Sequence, residues 1–146
     1  MGEPVKVHFQ LEQDEDGYPP IAVESVWAQP SAGENEYVID NVPFFTRDAT
    51  LGDTVAVRRD GGDLWFERTV HRSRSSLIRV VFFDRSVVKD VQDHLISLGC
   101  QAEHFEVYNL LAVSVPPSTA LESVQDYLQA QARAGTIDYE EAILRT

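Results

Sequence analysis

Trp65, Glu67, Thr69 and His71 occupy every second position of Leu64–Arg72, the spacing that puts alternate side chains on one face of a β-strand. Such a face offers an acid, a base and an aromatic stacking surface. Glu67 and His71 cannot bond each other directly, because four residues of strand at about 3.3 Å each separate them by about 13 Å. Chemistry there needs partners from neighbouring strands, for instance His8. Arg58, Arg59, Arg68, Arg72, Arg74 and Arg79 supply half of the 12 Lys and Arg residues within one stretch. Guanidinium groups on adjacent strands can fork onto a carboxylate or phosphate. The competing reading is that they neutralise Asp60, Asp63, Glu67 and the acidic first loop.

Arg79 stands apart, since it interrupts the apolar run Leu77–Phe83, where a buried charge must be paired or lie at an opening. If the chain binds a small anion, the expected ligand-binding residues are Arg79, His71, Glu67, Trp65 and Arg72. No catalytic residue is assigned. The sequence has no glycine-rich phosphate loop before a helix, no nucleophile elbow and no Cys or His pair at metal-ligand spacing. His8, His71, His94 and His104 fall in separate elements, so no metal site and no cofactor are expected. Cys100 follows a helix-ending glycine, with no histidine or helix N-terminus beside it to activate the thiol, and reads as a buried structural residue.

These residues must be positioned by a chain of 146 residues, enough for one domain or two small halves sharing a core. A single cysteine forms no internal disulfide and favours a reducing compartment. Residues 1–13 lack the regions of a signal peptide, and the longest apolar runs fall far short of the roughly 20 residues of a spanning helix. A cytoplasmic protein with no membrane partner is expected. Asp and Glu number 24, giving a formal charge of −12, which opposes polyanion binding and so excludes nucleic acid as the expected partner. The same acidity serves solubility or meets a basic protein.

The first half, residues 1–75, reads as a curled antiparallel β module that closes in the manner of a small barrel. Val5–Leu11 alternates apolar and polar residues. Ala22–Ala28 repeats the alternation with Val23, Ser25 and Trp27 on one face, and Glu36–Val42 forms a third strand that stops at Pro43. Thr54–Arg59 and Leu64–Arg72 flank Asp60-Gly61-Gly62-Asp63, the composition of a tight hairpin.

The second half, residues 76–146, reads as a ferredoxin-like βαββαβ module, so that the fold class is α+β. Leu77–Phe83 is a central strand. Ser86 caps a helix bearing Val91, Leu95 and Leu98, which Gly99 ends. Gln101–Tyr108 and Leu110–Val115 are strands, Thr119 with Glu122 makes a capping box for a helix bearing Val124 and Leu128, and Ile137–Leu144 is the last strand. Ser73-Arg74-Ser75-Ser76 is the seam, and the halves are expected to pack as one body.

Tyr37-Val38-Ile39-Asp40-Asn41-Val42-Pro43-Phe44-Phe45, then Leu51-Gly52-Asp53-Thr54-Val55, then Ser75-Ser76-Leu77-Ile78-Arg79-Val80 occur in an order that resembles a bacterial family catalogued as domain of unknown function 4265. The resemblance spans nearly the whole chain and implies a bacterial cytoplasmic protein. It carries no activity over.

Two functions are expected from different classes. The first is a non-enzymatic acidic binding protein that recognises a protein partner, of immunity, antitoxin or regulatory type. The alternative is a small-anion-binding protein or small biosynthetic enzyme with a pocket between the halves. Homodimerisation through the second sheet is a third, structural reading.

Overall fold

The computed structural model describes residues 2–145. It divides into two compact units, Met1–Ser73 and Arg74–Thr146.

The first unit contains β1 (Val5–Gln10), β2 (Val23–Pro30), β3 (Glu36–Ile39), β4 (Thr54–Asp60) and β5 (Asp63–His71). Each strand pairs antiparallel with the next, and the ring closes by a parallel pairing of β1 with β5. The parallel closure is a matter of parity, since five alternating strands bring the first and last together pointing the same way. Closure removes both exposed sheet edges. The inward positions of the alternation fill the ring with Val7, Phe9, Val26, Ala28, Ile39, Val55 and Leu64, all buried. Phe66 stacks on Phe9 with ring centroids 4.6 Å apart. At the β4–β5 turn, Gly61 and Gly62 both take positive φ (61° and 91°), as a two-residue hairpin loop demands.

Two sequence expectations fail in this unit. The third strand ends at Ile39 instead of Val42, because residues 40–53 leave the sheet and are held by side chains described below. Nor do Trp65, Glu67, Thr69 and His71 form one simple face. The β4–β5 register shifts between Thr54 and Val55 and again between Ala56 and Val57, and each extra residue on β5 breaks the period of two.

The second unit runs β6 (Ser76–Phe82), α1 (Val88–Ser97), β7 (Gln101–Phe105), β8 (Leu110–Val115), α2 (Leu121–Arg133) and β9 (Ile137–Ile143). Its four strands lie in the order β7-β8-β6-β9, all neighbours antiparallel. Ile78, Val80 and Phe82 of β6 and Leu111, Val113 and Val115 of β8 pack with Val91 and Leu95 of α1 and Val124 and Leu128 of α2. Gly99, at φ 103°, lets the chain leave α1 in a conformation that side chains resist.

Both helix caps differ from expectation. A short 3₁₀ turn, Arg85–Val87, precedes α1, and its cap is Asp84, whose carboxylate accepts from the Ser86 N–H. At α2 the N-cap is Ala120, without a side-chain bond, so the capping box is not formed. The Thr119 hydroxyl instead donates to the Leu98 carbonyl at the end of α1 (3.0 Å), joining the two helices. Thr119 lies close to both helix ends, and the carbonyl left without a partner at the end of α1 attracts the hydroxyl.

Candidate functional site

The outward positions of β2, β1 and β5 gather the most chemically varied surface of the first unit. Leu11 N–H donates to Ala22 O, so the inward residues hold the hydrogen-bonded positions of the β1–β2 ladder. His8 therefore faces Ser25 as a non-hydrogen-bonded pair, where side chains approach most closely. His8 Nδ1 and Ser25 Oγ are 2.6 Å apart. On its other side His8 is in register with Trp65, and the two rings are tilted with centroids 5.3 Å apart. Asp63 Oδ1 lies 3.7 Å from His8 Nε2.

Serine, histidine and aspartate in this arrangement invite comparison with a nucleophilic triad, but the geometry does not support one. A triad carboxylate is buried and hydrogen-bonded to the ring, whereas the Asp63 side chain is 63% exposed and beyond hydrogen-bond distance. Ser25 is likewise open to water on a strand face. The cluster is a polar surface flanked by aromatic rings.

The chain has two tryptophans, and both point outward on either side of β1. Trp27, 46% exposed, carries Lys6 Nζ over its ring at 4.6 Å. Trp65 carries the Arg58 guanidinium at 5.7 Å. Cations over the ring faces help to hold the indoles in place. Val23, exposed on β2, extends the apolar surface.

The other expected ligand residues do not join this group. Glu67 pairs with Arg68 at 2.9 Å. His71 is exposed, opposite Thr54 at the end of β5, and Arg72 is exposed just beyond it. Arg79 belongs to the second unit, where it is 3% exposed and has its Nη1 3.8 Å from Glu140 Oε1 on β9. The arginine stretch is dispersed in the same way: Arg58 reaches Asp60 at 3.7 Å, and Arg59 donates to Asn35 Oδ1 and the Tyr37 hydroxyl.

Sequence reasoning missed two buried carboxylates that shape the loop between β3 and β4. Glu24 accepts from three successive backbone N–H groups, those of Phe44 (2.6 Å), Phe45 (3.0 Å) and Thr46 (2.8 Å). Asp53 accepts from Thr50 N–H at 3.0 Å and Ser73 N–H at 2.8 Å. Asn41 Oδ1 accepts from Trp27 N–H at 2.7 Å, fixing the backbone under the exposed indole. A glutamate at an inward position of an otherwise apolar β2 alternation was the available signal for Glu24. Cys100 is buried, and desolvation pushes its thiol up to about 11, which keeps it protonated and unreactive at neutral pH. Among the described residues no group of three or more His, Cys, Asp or Glu is placed to hold a metal ion, and no helix is long and apolar enough to cross a membrane.

A solved structure described as "Novel crystal structure of a hypothetical protein from Neisseria gonorrhoeae" is similar in fold, with a TM-score of 0.82, 22% identity, and coverage of 100% of this chain and 99% of that one. Among curated proteins none matches. A family model matches residues 24–139, which take in the Glu24 anchor, the loop it holds and all but the last part of the second unit; the chain belongs to the family described as Domain of unknown function (DUF4265).

Proposed function

We propose that this protein is a non-enzymatic binding protein that recognises a basic protein partner through the outward face of β2, β1 and β5. The observation that carries this reading is the outward placement of both tryptophans on that face, one of them 46% exposed. Tryptophan is large and apolar, and its exposure on a face that also carries Val23 leaves apolar surface that a partner can cover. Tryptophan and arginine are also the residues that most often dominate binding energy at protein interfaces. Asp63 stands at the edge of the patch beside His8, and the chain carries 24 acidic against 12 basic residues, so the complementary surface is basic. An immunity-type or regulatory role fits such a surface.

Two finer structural readings accompany this function. The second unit is ferredoxin-like, as supported by its element order and the strand order β7-β8-β6-β9. A bacterial, cytoplasmic setting is supported by the family likeness and by the single buried, unbridged Cys100.

The test is capture from the native host with wild type, Trp27→Ala and Trp65→Ala in parallel, followed by binding kinetics with the captured protein. The expected partner is retained by wild type and weakened about tenfold or more by each variant, since interface tryptophans typically contribute about 2 kcal/mol or more. Its association should slow as ionic strength rises and the screening length falls from about 30 Å to about 8 Å. A partner whose affinity is the same for all three proteins would overturn the proposal.

A further inference from the structure

A cleft of about 200 Å³ lies within the second unit, where the chain enters β6, where β8 leaves the sheet and where the chain continues past β9. Arg74 and Arg145 line it. Their proximity is built in: the Ser76 hydroxyl donates to the Arg145 carbonyl at 3.1 Å and accepts from the Arg145 N–H at 2.8 Å. Ser76 is buried, so this reciprocal pair pins the Arg145 backbone beside the start of β6, two residues after Arg74. Among the described residues none that lines it is acidic, although the chain carries 24 acidic residues. Two arginines at one small concavity, with no acidic residue among the described residues of its wall, make a local positive site on a negative protein.

The rest of the wall is formed by Val115, Pro116, Pro117, Thr119 and Leu121, apolar apart from Thr119, whose hydroxyl is already engaged by Leu98 O. Size narrows the ligand further. Drug-sized ligands occupy pockets of about 300 to 1,000 Å³, so this cleft suits a single small acid and not a nucleotide. We propose that it binds a small organic anion, a carboxylate or phosphate monoester, with the charged group between Arg74 and Arg145 and a short apolar body against Pro116, Pro117 and Leu121. The site is separate from the tryptophan face, and either can fail without the other.

The probes are phenyl phosphate, benzoate and inorganic phosphate, each titrated into the full chain while the amide resonances of Ser76, Thr119 and Leu121 are followed. Saturable shifts at these amides are expected with phenyl phosphate or benzoate, at lower concentration than with inorganic phosphate, because only the first two use the apolar wall. Arg74→Gln should weaken binding by about tenfold, the loss expected for one charge-assisted contact, while Arg133→Gln on α2 leaves it unchanged. Arg145→Gln should match Arg74→Gln, and Arg74 alone suffices because it is exposed and outside the core. Non-saturating shifts, shifts centred elsewhere, or equal binding by wild type and Arg74→Gln would overturn the assignment. Preference for inorganic phosphate over phenyl phosphate would overturn the apolar part of it.

Discussion

Arg79 and Glu140 are direct partners in the β6–β9 register, and the guanidinium of the one lies 3.8 Å from the carboxylate of the other. The two ends differ in environment, for Arg79 is 3% exposed whereas the Glu140 side chain is 42% exposed. Removing the carboxylate therefore weakens the compensation of a buried charge, but removing the guanidinium leaves a carboxylate that water can still reach. Arg79→Met keeps the packed stem and is expected to change stability by no more than about 1.5 kcal/mol. Glu140→Gln is expected to cost about 1 to 3 kcal/mol. Denaturant midpoints in the opposite order would contradict this account of the pair.

Glu24 organises three backbone N–H groups at once, so its truncation should be felt in the loop before it is felt elsewhere. Glu24→Ala leaves those donors without their acceptor and is expected to destabilise the first unit by about 2 to 5 kcal/mol; Glu24→Gln, which keeps one carbonyl oxygen, should cost less. Amide hydrogen exchange at Phe44, Phe45 and Thr46 is the direct measurement. Unchanged protection there in Glu24→Ala would show that the carboxylate is not what holds the loop.

Leu95 and Leu128 are fully buried on α1 and α2 and pack in the same core cluster. Leu95→Ala and Leu128→Ala should each cost about 2 to 5 kcal/mol, the range for deleting a buried leucine side chain. Thr119→Ala should cost about 0.5 to 1.5 kcal/mol through loss of the bond to Leu98 O. Thermal denaturation ranks the three. A Thr119→Ala loss as large as either leucine variant would mean that the hydroxyl carries more than one bond's worth of structure.

Cys100 gives a pH signature. Burial raises its thiol from the ordinary 9.0 to about 11, so between these values the unfolded chain gives up its proton while the folded chain keeps it. This contribution to stability is fully present below about pH 9 and is lost as pH rises through about 11. Stability should thus fall more steeply over that window in wild type than in Cys100→Ala. Thiol labelling at pH 8 should proceed only as the protein unfolds, and rapid labelling of the folded protein would refute the buried, protonated state.

Strand and helix periodicity was legible along the chain because burial on one face of an element acts residue by residue. The inward Val7 and Phe9 and the buried Leu95 and Leu128 follow from spacing, and the hairpin at Gly61-Gly62 from its turn composition. Ring closure and the partners of polar groups were decided elsewhere. Whether Trp65 meets His8 depends on β1 lying parallel to β5, a contact between residues 57 positions apart that no local pattern encodes. The bulges in β5 broke the single face that simple alternation assigned to Trp65, Glu67, Thr69 and His71: one extra residue puts Thr69 opposite Val55, on the other side from Trp65, and a second brings His71 back into phase opposite Thr54. Thr119 had the right type and spacing to cap α2, yet its hydroxyl serves Leu98, because a side chain bonds the nearest unsatisfied group in space. The sequence by itself thus determined which elements form and which faces they bury, for those depend on short-range periodicity and apolar area. Only the tertiary structure decided which charges pair, which tryptophans remain exposed and where two arginines share a cleft, for those depend on distances between residues far apart in the chain.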